Sequence, residues 1–174
     1  MAIHFSKQEF SNRKSNIIKS MKEQNIDALL MFRQESMYWL TGYDTFGYVF
    51  FQTLILDQKG RMILLTRAPD LRQAQNTSNI KDIRIWVDKD NSNPTEDLKL
   101  ILIELNLKGK KIGIEYEAYG MTGRNALRIN SSLKNYCSVE DHSELITKHR
   151  VIKSQEEIVY VQKAAQLADE ALYE

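Results

Sequence analysis

Few side chains in this chain could carry reactive chemistry. Its imidazoles are His4, His142 and His149, and its one thiol is Cys137. His142 and His149 stand seven residues apart, a spacing that would stack both on one helix face, but no motif with metal-ligand spacing joins them. Cys137 and His142 could form a nucleophile and its base, whereas the apolar strand pattern around Cys137 points to a buried, inert thiol. The chain contains no His-Glu-x-x-His, no Cys-x-x-Cys, no Gly-x-Ser-x-Gly and no Walker loop. Gly120 and Gly123 fall short of the Gly-x-Gly-x-x-Gly that would cradle a dinucleotide.

Binding chemistry is better represented. Tyr43-Asp44-Thr45-Phe46-Gly47-Tyr48 reads as a glycine-bounded loop. Aromatic side chains offer large contact area for little lost rotamer freedom, so Tyr43, Phe46 and Tyr48 are candidate substrate contacts. Packing is the competing reading, and strand packing is the default for Val49-Phe50-Phe51. Asp44 reads as a turn or cap residue, and Lys108, Lys110 and Lys111 as a solvated turn.

Composition narrows the classes. Lys and Arg number 24 against 23 Asp and Glu, leaving +1, so neither nucleic acid nor an anionic membrane is an expected partner. No apolar run reaches the roughly 18–20 residues of a membrane span. Met1 to Phe10 carry no basic-then-apolar signal, and a lone cysteine fits a reducing cytoplasm, so a cytoplasmic location is expected. At 43% hydrophobic and 27% charged, 174 residues suffice to bury a core without disulfide or metal staples.

The elements that would position the loop follow from periodicity and caps. Ser6 with Glu9 is a capping box, and Phe10, Ile17, Ile18 and Met21 recur at helical spacing, so residues 7–24 are expected as a helix ending at Asn25. Ala28 to Phe32 reads as a buried strand, and Gln34 to Leu40 as a short helix closed by Thr41-Gly42. Tyr48 to Leu56 and Met62 to Thr66 read as a hairpin about Asp57-Gln58-Lys59-Gly60. Pro69 opens a helix through Ala74, and Ile83, Ile85 and Val87 alternate as a strand. Asn93 caps a helix with Pro94 at its first position, Leu98, Ile101, Leu102 and Leu105 as its buried stripe, and Gly109 just past its end. Lys111 to Tyr116 is expected as a strand, Thr122 to Asn130 as a helix and Tyr136 to Val139 as a strand. Asp141 with Glu144 is a capping box opening a helix through Ile146. The expected fold is α/β: a mixed, mostly parallel sheet of about five to six strands covered by helices on both faces.

Ser154 with Glu157 forms a third capping box, ahead of a stripe of Ile158, Val161, Ala165, Ala168 and Leu172. No Gly, Asn or Pro closes that helix before Glu174. The expectation is a domain over 1–150 and, over 151–174, a linker with the first helix of a second domain.

Three stretches resemble one family. Ile26-Asp27-Ala28-Leu29-Leu30 followed by Met37-Tyr38-Trp39-Leu40-Thr41-Gly42-Tyr43 is similar to the first strand and helix of the creatinase/prolidase N-terminal domain. Lys111-Ile112-Gly113-Ile114-Glu115 resembles its later strand. Arg150 through Lys153-Ser154-Gln155-Glu156-Glu157-Ile158 resembles its exit, with Gln155 in place of the usual proline. The resemblance implies the N-terminal domain of a dimeric metallohydrolase acting on amide or peptide C–N bonds, of the Xaa-Pro dipeptidase, aminopeptidase and creatinase kind. Two divalent metals (Mn, Co or Zn) would be held by two Asp, one His and two Glu of a C-terminal pita-bread domain. This chain would then contribute no catalytic residue and no metal ligand, only dimer contacts and a wall of the substrate path.

The loop resembles that of creatinase most closely, which holds its substrate with an aromatic and an arginine. Phe46 matches the aromatic. No Lys or Arg lies between Gln34 and Gln58, so the guanidinium has no counterpart there, which argues against creatine and for an imino-acid peptide or another small amide. The alternative is a free-standing α/β module that binds a small ligand.

Overall fold

A computed structural model describes residues 3–173 of the chain. Helix α1 is Lys7–Glu23, with the Ser6 side chain accepting from the Glu9 backbone N–H. Strand β1 is Ala28–Met31, buried along its whole length. Helix α2, Gln34–Thr41, ends on Gly42 at φ 81°, a left-handed turn that glycine adopts without a Cβ penalty. Strands β2 (Thr53–Asp57) and β3 (Met62–Arg67) form the hairpin, whose turn is held by Asp57 Oδ1 accepting from the Lys59 and Arg61 backbone. The remaining elements are α3 (Leu71–Thr77), β4 (Asp82–Trp86), α4 (Pro94–Glu104), β5 (Lys111–Ile114), α5 (Gly123–Leu133), β6 (Ser138–Asp141), α6 (Glu144–Val151) and α7 (Gln155–Tyr173).

The six strands lie in the order β4-β3-β2-β1-β5-β6. Pairs β1–β5, β3–β4 and β5–β6 are parallel, while β1–β2 and β2–β3 are antiparallel. The alternation of side chains along β1 divides the core in two. Ala28 and Leu30 join Ile112, Ile114 and the stripes of α4 and α5 on one face. Leu29 and Met31 join Ile17, Met21, Met37, Leu40 and Ile146 on the other. This is the expected mixed sheet with helices on both faces. Among the described residues no helix is long and apolar enough to cross a membrane.

Several boundaries differ from the expectations, each for a physical reason. The strand expected from Tyr48 begins only at Thr53, because Gly47–Val49 winds into a 3-10 turn with Phe50 N–H donating to Gly47 O. Phe50 stacks on Arg67 and Tyr48 on Tyr119, so aromatic partners replace sheet pairing; Val49 and Phe50 are exposed and Phe51 alone is buried. Helix α4 ends at Glu104, and the left-handed residue just past its end is Asn106, at φ 59°, with Gly109 three residues further on. Asn25 and Asn135 play the same role after α1 and α5, as asparagine tolerates the left-handed region. Strand β6 starts two residues later than expected and includes Asp141, which therefore caps no helix; its Oδ1 accepts from the Ser143 N–H and hydroxyl.

Candidate functional site

Parallel strands β1 and β5 lie side by side, and the helices that follow them pack on opposite faces of the sheet, α2 on one and α5 on the other. The chain thus parts at the carboxyl ends of these strands, the place where α/β sheets commonly open a ligand crevice. Here the bottom of the crevice is filled from within. Glu115, directly after β5, is 0% exposed. Its Oε2 accepts from the backbone N–H groups of Phe32 and Arg33, both at 2.9 Å, and its Oε1 from the Ser36 hydroxyl at 2.5 Å. Arg33, the residue that precedes α2, provides no side-chain cap, so Glu115 caps that helix from a neighbouring strand. Burial pushes the Glu115 carboxyl up to about 7, against the opposing pull of Ser36, the two amides and the Arg33 charge.

Two clefts open above it. The smaller, about 520 Å³, is bounded by Arg33, Tyr48, Glu117, Tyr119 and Arg150. The larger, about 810 Å³, runs between Tyr38 and Trp39 of α2 and Glu157 and Tyr160 of α7, with Asp44 and Lys153 at its edge. Gln34, Glu35, Thr147 and Arg150 line both. Arg33 braces the floor, donating to Glu117 O and Oε2 at 2.6 Å and to Thr147 Oγ1 at 2.7 Å. Arg150, half-buried, has no carboxylate within ion-pair distance among the described residues. Burial, followed by the charges of Asp44 and Tyr160, raises the Tyr38 phenol, whose oxygen is 2.6 Å from His4 Nδ1.

The aromatic loop sits beside the smaller cleft, and its three candidates part ways. Tyr43 is 0% exposed and donates to Gln52 Oε1 at 2.8 Å; it anchors the loop from inside and reaches neither cleft. Phe46 is 87% exposed and stands outside both. Tyr48, 37% exposed, lines the smaller cleft edge-on to Tyr119. Two close approaches hold the loop: a Cβ on Gly47 would meet Asp70 Oδ1 at 2.6 Å, and one on Gly120 would meet Phe50 O at 2.4 Å. The loop has no cation of its own, yet the fold brings Arg67 to 3.4 Å from the Phe50 ring centre and Arg150 into the cleft that Tyr48 lines.

The other candidate groups separate. His142 precedes α6 rather than lying on it; its Nδ1 meets Gln24 Oε1 at 3.1 Å and its ring lies over Gly113. His149 pairs with Ser20 at 2.9 Å, so the two histidines do not share a site. Burial lowers both imidazoles. Cys137 packs against the core, where burial raises its thiol, the wrong direction for a nucleophile. No group of three or more His, Cys, Asp or Glu converges as a metal-holding set among the described residues.

Sequence reasoning missed Glu115, Arg33, Tyr119 and the lining role of Arg150, which are far apart along the chain. The one signal available was the buried-strand pattern Lys111 to Ile114 running into a carboxylate.

Comparison with known proteins agrees with this geometry. A hydrolase/peptidase of Sinorhizobium fredii is 27% identical over 96% of this chain and 44% of its own length. The ectoine hydrolase of Halomonas elongata is 24% identical over 96% of this chain and 43% of its own. The chain thus spans less than half the length of these relatives. The crystal structure of a prolidase from Thermococcus sibiricus superposes with a TM-score of 0.78 at 21% identity, over 94% of this chain and 43% of that one. Residues 13–152 match the creatinase/prolidase N-terminal domain, and the chain belongs to that family.

Proposed function

We propose that this chain is the non-catalytic N-terminal domain of a dinuclear metallohydrolase of the creatinase/Xaa-Pro peptidase kind, acting on amide or peptide C–N bonds. In this reading residues 1–150 are the domain, and 151–174 are the linker and first helix of the pita-bread domain that holds the metals. The clefts above Glu115 form one wall of the substrate path, Phe46 reaches toward a second subunit of a homodimer, and Arg150 receives an anionic or carbonyl group of the substrate. The observation that carries the reading is Arg150: a guanidinium lining both clefts without an ion-pair partner among the described residues, beside a loop that presents aromatic side chains but no cation of its own. Arg150 can offer two parallel N–H donors to a carboxylate, Tyr48 and Tyr119 can pack a ring, and Arg33, tied down on three sides, keeps the floor fixed.

The test has two arms. This chain alone should bind no stoichiometric Mn, Co or Zn and hydrolyse no Xaa-Pro dipeptide. In the full-length protein, Arg150→Met should raise KM for an Xaa-Pro substrate by about tenfold to a hundredfold, as expected for a lost charge-assisted pair. Metal-dependent turnover by the 174-residue chain, or unchanged kinetics in Arg150→Met, would overturn the reading.

One observation favours a second reading, a module that binds a small ligand: the larger cleft, about 810 Å³, is of ligand-pocket size. Saturable binding of a small molecule by the chain alone, with no hydrolase activity in the longer protein, would favour it.

A further inference from the structure

Helix α7 runs for 19 residues, yet its polar ties to the rest of the described chain come from its first two turns. Glu156 reaches the start of α1, where its carboxylate accepts from the Ser6 hydroxyl at 2.6 Å and the Ser6 N–H at 3.0 Å. It thereby fills the half of the α1 capping box that Glu9 leaves empty, because Glu9 turns instead to Arg13. The Tyr160 hydroxyl donates to His4 O at 2.7 Å.

Glu157 does the most. Its Oε2 accepts from the Ser154 N–H at 2.7 Å, while its own N–H donates to Ser154 Oγ. Its Oε1 accepts from Trp39 Nε1 at 2.8 Å and lies 3.1 Å from Arg13 Nη2. Arg13 is 3% exposed. Its guanidinium carbon sits 4.1 Å from the Phe5 ring centre and 5.0 Å from that of Trp39, and its Nη1 donates to Trp39 O at 2.7 Å.

This arrangement holds a movable part. Glu157 and Tyr160 form one wall of the larger cleft and Tyr38 and Trp39 the other, so the seating of α7 sets the cleft's width. Between α6 and α7 the backbone is non-helical at residues 152–154, and Ile152 is extended at φ −94° and ψ 114°. Removing one member of a buried ion pair ordinarily strands the other. Here Arg13 has a second carboxylate, Glu9 on its own helix at 2.9 Å, a pairing that does not run through Glu157. Arg13 thus has a resident carboxylate on its own helix and a removable one on α7.

We propose that Arg13 and Glu157 form a charge latch that closes α7 on α2, with residues 152–154 as the hinge about which α7 swings to widen the larger cleft. The test uses the 174-residue chain with spin labels at Lys59→Cys and Ala168→Cys in a Cys137→Ala background. The parent should give one narrow distance distribution. Glu157→Gln should broaden it and lower amide protection in the first turns of α7 by at least about tenfold, with protection in β1 and β5 unchanged, which separates release from unfolding. Ser154→Ala removes a capping bond but leaves the ion pair, so its distribution should stay narrow. A narrow distribution in Glu157→Gln, a parent that is already broad, or equal broadening in Ser154→Ala would overturn the latch.

Discussion

Replacing Glu115 by Gln tests whether the crevice floor is held by a carboxylate that burial works against. In the folded chain burial raises this group from the ordinary 4.5 to about 7. At about 1.4 kcal/mol per pH unit, that rise amounts to about 3 kcal/mol. The native chain keeps the proton between pH 4.5 and 7 while the unfolded chain releases it. The group's contribution to stability is therefore fully present below about pH 4.5 and is lost as pH rises through about 7. Protonation also has a fixed geometry. The Phe32 and Arg33 amides can only donate, so Oε2 remains their acceptor, and the proton sits on Oε1 facing Ser36 Oγ, whose hydroxyl can reverse. Glutamine reproduces that state, with its amide oxygen on the two N–H groups and its nitrogen donating to Ser36. Denaturant unfolding of both proteins at several pH values from 4.5 to 8.5 gives a difference curve in which the other titrating groups, His142 and His149 among them, cancel. Glu115→Gln should match the parent near pH 4.5 and exceed it by about 3 kcal/mol at pH 8 and above. A flat difference, or one that falls with pH, would mean that the three donors and the positive end of α2 outweigh burial.

Other perturbations read different parts of the structure. Leu30→Ala, in the fully buried central strand, should cost about 2–5 kcal/mol in chemical denaturation. Gly120→Ala places a methyl 2.4 Å from Phe50 O; the loop must move, at about 1–3 kcal/mol, with weaker near-ultraviolet signals from Tyr48 and Tyr119. Asn106→Gly should be neutral within about 0.5 kcal/mol while Asn106→Ala costs about 1 kcal/mol, because the position is left-handed; equal thermal midpoints in the two variants would contradict this. Tyr48→Ala in the full-length protein should lower kcat/KM with a midpoint shift of only a few degrees, whereas Tyr43→Ala, which strips the bond to Gln52 from inside the loop, should lower the midpoint first.

The fold was legible where one local rule decided the outcome. Ser6, Asn25, Gly42 and the Ser154–Glu157 box end or begin their helices as read, since each such signal acts within its own turn; in the Ser6–Glu9 box the returning carboxylate is Glu156 instead of Glu9. Short apolar runs bounded by polar residues gave β1 and β3, where both faces are buried. The reading failed where two local rules competed. Tyr48-Val49-Phe50 has strand composition, but Gly47 permits a tight turn against Asp70, and the rings find Tyr119 and Arg67 instead of a sheet. Asp141 has the composition of a cap, but it pairs with Ile114 in the sheet, and Ser143, which precedes α6, makes no side-chain cap bond.

The site was less legible because its residues meet through the sheet order rather than along the chain. Glu115 and Ser36 are 79 residues apart, and Arg33 and Thr147 are 114 apart; the parallel pairing of β1 with β5 brings them together. A search for metal-ligand or nucleophile spacing could not have found them, since none of them is a ligand or a nucleophile. What the sequence did contain was a carboxylate directly after the apolar run Ile112-Gly113-Ile114. A carboxylate there needs donors that strand neighbours cannot supply, because their N–H groups already serve the sheet. Free N–H groups occur at the start of a helix, and Glu115 takes the Arg33 N–H just ahead of α2, together with the Phe32 N–H and the Ser36 hydroxyl. These bonds tie the start of α2 to the carboxyl end of β5, while Met37 and Leu40 seat the helix in the core.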